Sequence, residues 1–274
     1  YYYYGDWVLP YPETVQPDNI FVSTAYLFWH LKEMKKIAEI VGNKADIGLY
    51  KKDIELCRKA INDKYFDAET KNYSRGTQTE NALAVSLGIC AEKHTAEVAE
   101  NVYKDVVARN YHCTSGNVGY RHVFYVLAEY GHADAVVKIL KNPEYPGWGY
   151  MIASGATSVW ERWESKMTNE MHSFNHPMYG SYDAFLYKFL GGIDVKEDAF
   201  GADKLIVAPV FVDGIDFVET SYKTVRGTLE VKWQRSKSGV EFDITVPPTS
   251  TVELLCGGEK RELKAGRHTV KIDK

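Results

Sequence analysis

The chain has four cysteines (Cys57, Cys90, Cys113, Cys256), far apart and without a C-x-x-C pair. That spacing excludes a disulfide frame and a structural zinc site, so the four read as buried thiols. No apolar run approaches the length that spans a bilayer, so no membrane is expected. Charge of one sign is also missing. Lys and Arg total 33 against 37 acidic residues, a net charge of −4, without the basic footprint of a nucleic-acid-binding protein. The opening YYYYGDW has neither the basic segment nor the apolar h-region of a signal peptide. A start without methionine reads as a fragment or a processed chain, and the compartment stays open. The sequence holds no H-E-x-x-H and no G-x-S-x-G. The glycine-rich GNVGYRH at 116–122 lacks the lysine and the preceding strand of a phosphate loop. Neither a metal nor a cofactor is called for. No period of 30–45 residues recurs, which counts against a solenoid scaffold.

What is present divides the chain in two. Hydrophobic residues make up 45%, enough for a sizeable core. Up to about 195 the apolar spacing is helical. The first segment, 19–42, stops at Gly42, and the second, 44–66, starts after Asn43, a good N-cap residue. A polar loop or small hairpin covers 66–77. Helices follow at about 78–91, 94–109, 117–130, 132–142 and 175–190. Short links between them imply antiparallel neighbours, and such hairpins in a layered array fit an (α/α)6 toroid. After Gly191–Gly192 the period changes to two. Val231 and Trp233 alternate with Lys232 and Gln234, and Ser238–Gly239 and Gly257–Gly258 mark turns. This predicts an antiparallel β-sandwich. With the boundary near 195–202, the domains are 1–197, helical, and 198–274, β.

The stretch 155–192 concentrates chemistry. Trp160, Glu161, Trp163, Glu164, His172, Asn175, His176 and Tyr179 lie in a glycine-rich loop leading into a helix. Aromatic rings beside a carboxylate suit a sugar site, where rings cover apolar pyranose faces and the carboxylate moves a proton. For a lone Glu the ordinary reading is a solvated surface residue, and for each tryptophan it is core packing.

GATSVWE (155–161) and SFNHPMYGSYDAFLY (173–187) resemble paired segments of the bacterial α-L-rhamnosidases of glycoside hydrolase family 78. GDW (5–7), TQTENALAVSLGI (77–89), GNVGYRHVFYVLAEYG (116–131), YPGWGYMIASGATSVWERW (145–163) and the tail 208–233 follow in family order. The resemblance covers nearly the whole chain. It implies an (α/α)6 barrel portion followed by a C-terminal β-sandwich, and inverting hydrolysis of terminal α-L-rhamnosyl groups from a rhamnose-containing glycoside or polysaccharide. An inverting site uses two carboxyl groups roughly 6.5–9.5 Å apart. Glu161 matches the family's general base. Trp160 and Trp163 beside it would desolvate it and raise its pKa, which Arg162 would oppose.

The resemblance assigns substrate binding to Asp6, Trp7, Trp148, Trp160, Asn175 and His176, with Trp7 and Trp148 as stacking platforms. Tyr150 and Tyr179 are further cleft candidates, and Glu164 is the runner-up carboxylate. Gln78 and Asn81 match a family segment and read equally well as helix caps. The family's general acid lies in an Asp-Gly-x-x-Arg-Asp-Glu string that does not occur in this sequence, and Asp6 is not given that role. The expected chain therefore holds the base side of a site, with the barrel's first helices missing. Faces left uncovered that way point to a homo-oligomer or a partner polypeptide. Two other readings stay open: a non-catalytic carbohydrate-binding protein of this fold, and another (α/α)6 glycosidase.

Overall fold

The computed structural model describes residues 4–10, 15–166 and 172–273. Tyr1–Tyr3 of the leading tyrosine run, and 167–171 inside the site stretch, lie outside these described residues. The chain folds as two compact units that divide between Gly180 and Ser181.

The first unit is helical. α1 (Asn19–Val41) begins where the Asp18 carboxylate accepts the N–H groups of Ile20 and Phe21, and it ends at Gly42, left-handed at φ +75°. α2 (Lys44–Tyr65) starts two residues later, under the Asn43 cap, and packs back on α1. A hairpin follows, β1 (Phe66–Asp67) paired with β2 (Asn72–Tyr73). α3 (Gln78–Ser86) opens with a capping box between Thr77 and Glu80. Every residue from Gln78 to Val85 is buried, as in a helix enclosed by neighbours on all sides. It packs against α1, α4 (Glu92–Ala108) and α5 (Tyr120–Glu129). α4 buries only the stripe Val98, Ala99, Val102 and Val106, as an outer helix does. α6 (Ala133–Lys141) and α7 (Trp148–Ala153) complete the series. The pairs α1–α2, α3–α4 and α5–α6 are successive hairpins of an (α/α)6 toroid.

The structure differs from the sequence pattern in two helices. α7 was not apparent, since six residues that include Gly149 show no period. The helix expected over 175–190 begins later and is broken. It consists of a 3₁₀ turn over Pro177–Tyr182, one turn of α-helix, α8 (Asp183–Phe185), and a π turn over Leu186–Leu190. Pro177 brings no N–H, and Gly180 disfavours a helix interior.

The second unit is a sandwich of two four-stranded sheets. One has β5 (Phe217–Thr224), β6 (Gly227–Arg235), β7 (Gly239–Val246) and β10 (Gly266–Asp273), in the order β10-β7-β6-β5 and antiparallel throughout. The other has β3 (Ile193–Val195), β4 (Lys204–Val207), β8 (Thr251–Cys256) and β9 (Glu259–Leu263), in the order β3-β4-β8-β9. Here β4 and β8 pair in parallel, Lys204 opposite Thr251, the one departure from the antiparallel expectation among the described strands. Leu205, Val207, Val252 and Leu254 meet Leu229, Val231, Trp233, Phe242 and Ile244 in one core. Trp233 donates its indole N–H to the Leu190 carbonyl at 2.8 Å. Gly257 and Gly258 link β8 to β9 with φ of +59° and +81°, a two-residue hairpin that needs positive φ at both positions.

Candidate active site

Two segments of the helical unit carry the candidate residues. The first is the N-terminal stretch of residues 4–9, anchored at Asp6. This carboxylate is 6% exposed. Its Oδ2 accepts the Thr79 hydroxyl at 2.5 Å and the Gly116 N–H at 2.8 Å. Its Oδ1 accepts the N–H groups of Val118, Gly119 and Trp7 at 3.0, 3.2 and 3.1 Å. Burial pushes the carboxyl above the usual carboxylate range, and the bonds from Thr79, Gly116, Val118 and Gly119 pull it back. Gly116 and Gly119 are required here. A Cβ on Gly116 would lie 2.2 Å from the Trp7 carbonyl oxygen, and one on Gly119 would lie 2.3 Å from the Thr79 hydroxyl. Both Asp6 oxygens are engaged by the protein, and through them the carboxylate ties this stretch to Thr79 of α3 and to the loop before α5.

The same stretch presents Trp7, 45% exposed, with Tyr4 edge-on to it at 5.3 Å. Both border a pocket of about 600 Å³, with Gln16, Asp18, Ile20, Arg75 and Arg162 also in its wall. Trp7 thus keeps nearly half of its surface open beside this pocket. The pocket's two described carboxylates, Asp6 and Asp18, are both held by backbone N–H groups.

The second segment is the loop with Glu161. Its side chain is buried, 9% exposed. Its Oε2 accepts the Ser173 N–H at 2.8 Å, and its own N–H donates to the Ser173 carbonyl at 2.9 Å. Neighbouring Arg162 reaches the pocket and faces Glu164 at 3.6 Å. Glu161 itself is not among the described residues that line the pocket. Trp160 is buried with its ring edge-on to Phe174 at 5.1 Å, and Trp163 lies on Tyr179 at 4.1 Å. Both are buried in these ring contacts, and neither offers an open face.

Trp148 is also enclosed, 6% exposed among Tyr120, Phe124, Trp163 and Tyr179, and it donates its N–H to the Tyr179 carbonyl at 2.9 Å. It packs as core. Asn175 is exposed. His176 accepts the Met178 N–H on Nδ1 at 3.0 Å, which puts the proton of the neutral ring on Nε2. Glu164 accepts from the Tyr145 hydroxyl at 3.4 Å, Tyr150 donates to Ser165, and Tyr179 has no exposed surface. Gln78 and Asn81 cap nothing. Gln78 bridges Asp105, His112 and Thr114, and Asn81 bridges Tyr73 and Asn72. Among the described residues no three His, Cys, Asp or Glu side chains gather as metal ligands. Sequence reasoning missed Tyr4, Asp18 and Arg75 in the pocket wall. Only the tyrosine run offered a signal, and nothing set Arg75 apart from a surface arginine.

The comparisons with known proteins agree with this architecture. Residues 192–271 match the bacterial alpha-L-rhamnosidase C-terminal domain. An alpha-L-rhamnosidase of Alteromonas sp. (strain LOR) is 29% identical over 267 residues, which are 92% of this chain and 29% of that protein. The structure of alpha-L-rhamnosidase from Dictyoglumus thermophilum superposes with a TM-score of 0.90 at 30% identity, covering 100% of this chain and 34% of the other. The crystal structure of Streptomyces avermitilis alpha-L-rhamnosidase complexed with L-rhamnose gives 0.89 at 25% identity, covering 98% and 28%. The chain thus spans about a third or less of the length of these relatives. Residues 2–190 match the bacterial alpha-L-rhamnosidase 6 hairpin glycosidase domain, and the chain belongs to that family.

Proposed function

We propose that these residues form the base side of an inverting glycosidase site that acts on terminal α-L-rhamnosyl groups. The observation that carries this reading is the state of Glu161. It is a nearly buried carboxylate held through Oε2 by Ser173, on a loop whose next residue, Arg162, borders the pocket. In this role its other oxygen takes a proton from a water that attacks the anomeric carbon. Trp7 covers the apolar face of the deoxysugar, and the Nε2–H of His176 donates to a hydroxyl. The leaving-group oxygen needs a second carboxyl. Asp6 has both oxygens taken by protein donors, and Asp18 caps α1 through Oδ1 while its Oδ2 faces the Arg75 guanidinium at 3.8 Å, so we assign that proton to a group outside these residues.

The same engagement of Asp6 and Asp18 supports a second reading, in which the chain alone binds rhamnosides without turning them over. Calorimetry with L-rhamnose and release of the aryl group from an aryl α-L-rhamnoside test both readings, which part only in a longer polypeptide containing this chain: turnover there supports the first, binding alone the second. Binding with little turnover by this chain, and turnover with β-L-rhamnose as first product by a longer polypeptide containing it, is expected. Full turnover by this chain alone would defeat the assignment of the acid to other residues. Absence of L-rhamnose binding would defeat the sugar site altogether.

A further inference from the structure

Val8 is a β-branched residue at φ +56°, a left-handed conformation that L side chains with a branched Cβ almost never adopt. It directly follows the one tryptophan that faces the pocket. We propose that Tyr179 is a positioning residue that holds Val8 in this conformation and thereby sets how Trp7 meets the sugar; this rests on the reading of the pocket as a sugar site. The Tyr179 hydroxyl donates to the Val8 carbonyl. One residue earlier, the Trp7 carbonyl accepts the Asn117 N–H at 2.9 Å, and the Trp7 N–H donates to Asp6. The peptide groups on both sides of the turn are thus clamped, one by the Asp6 loop and the other by Tyr179.

Tyr179 can act as a fixed anchor because its own place is over-determined. It has no exposed surface, its ring lies on Trp163 at 4.1 Å, and its carbonyl accepts the Trp148 indole N–H. Trp163 is two residues beyond Glu161. The hydroxyl of Tyr179 therefore ties the pocket wall to the loop that carries the proposed base. Backbone held in a disfavoured region by its surroundings is a recurrent feature of ligand sites. Without the hydroxyl, Val8 can relax to the extended region, which turns its peptide and moves the Trp7 ring.

The experiment labels the chain with 5-fluorotryptophan and follows the Trp7 fluorine signal, assigned by its loss in Trp7→Phe, with and without L-rhamnose. In Tyr179→Phe the Trp7 signal shifts or broadens, and the L-rhamnose dissociation constant rises about tenfold, the scale of one lost hydrogen bond. Val8→Gly added to Tyr179→Phe brings both back to their values in Val8→Gly alone, because glycine takes positive φ without the clamp. A merely structural role for the hydroxyl predicts no such rescue. An unchanged Trp7 signal in Tyr179→Phe, or no restoration by Val8→Gly, overturns the proposal. If L-rhamnose does not move the wild-type signal, the sugar reading and the functional half of this proposal fall together, and the sugar-free comparison decides the backbone clamp alone.

Discussion

Glu161 and Ser173 bond each other twice, amide to carbonyl at 2.9 Å and amide to carboxylate at 2.8 Å. The double link fixes the carboxylate across the loop and leaves one of its oxygens outside the pair. Glu161→Gln keeps an oxygen for the Ser173 N–H but cannot accept a proton. We expect its melting temperature to stay within about 2 °C of wild type, while turnover of an aryl α-L-rhamnoside by an active polypeptide falls by about 10²–10⁴. Glu161→Ala also orphans the Ser173 N–H and should lose a further ~1–2 kcal/mol of stability in urea titrations. Activity of Glu161→Gln within a factor of a few of wild type would remove Glu161 from the chemistry.

Asp6 gathers donors from three parts of the chain. Removing it leaves the Gly116, Val118 and Gly119 N–H groups without their acceptor, while the Thr79 hydroxyl keeps Ser115 at 2.9 Å. Asp6→Ala should cost about 3–5 kcal/mol, at the upper end for a single substitution. Asp6→Asn keeps the shape but turns an NH₂ toward N–H donors, and should cost about 1–3 kcal/mol. Denaturant midpoints measure both. Wild-type stability in Asp6→Ala would mean that the carboxylate does not fasten the loop.

The parts of this fold that were legible in sequence are those whose cause is local. Gly42 and Asn43 mark the α1–α2 junction because a left-handed C-cap and an accepting N-cap favour those residue types. The alternation of Val231 and Trp233 with Lys232 and Gln234 marks a strand with one buried face. The parallel pairing of β4 with β8 depends on residues more than forty positions apart, and nothing local encodes it. The site divides in the same way. The motif around Glu161 singled out a carboxylate that the structure shows nearly buried, but side-chain identity does not say which tryptophan faces a pocket. Trp7 does, at 45% exposure, and Trp148 does not, at 6%. The internal engagement of Asp6 was equally hidden, since its partners lie at Thr79 and at 116–119.

Gly192 tests the entry to the sandwich. It sits at φ +76°, and its carbonyl accepts the Ala208 N–H at 2.8 Å. A Cβ there would lie 2.4 Å from the Pro209 nitrogen and 2.7 Å from the Ala208 carbonyl carbon, backbone atoms that cannot swing aside. Strained φ and overlap add, so Gly192→Ala should cost about 3 kcal/mol or more in a urea titration. Gly214 is at φ +82° with open space around a Cβ, so Gly214→Ala should cost only about 1 kcal/mol, from the φ strain alone. Equal losses at the two sites would mean that the close approach at Gly192 has no energetic weight.

His122 makes stability depend on pH. It lies in α5, with Nδ1 at 2.7 Å from the Ser86 hydroxyl and Nε2 at 3.5 Å from the Tyr26 hydroxyl. Burial, helped by the Arg121 charge, lowers its pKa from 6.5 to about 4. The unfolded chain therefore binds this proton more readily than the folded one. The stability tied to the neutral ring is complete above pH 6.5 and drains away as pH falls toward 4, by about 3 kcal/mol over that interval. Asp6 runs the other way, because its folded pKa is raised and its protonation on acidification favours the folded state. The two contributions are separated by subtraction: the free-energy difference between wild type and His122→Gln, followed by urea titration, should shift against wild type by about 3 kcal/mol from pH 7 to pH 4. A difference that stays constant across that range would show that the ring takes up its proton as easily in the folded chain as in the unfolded one.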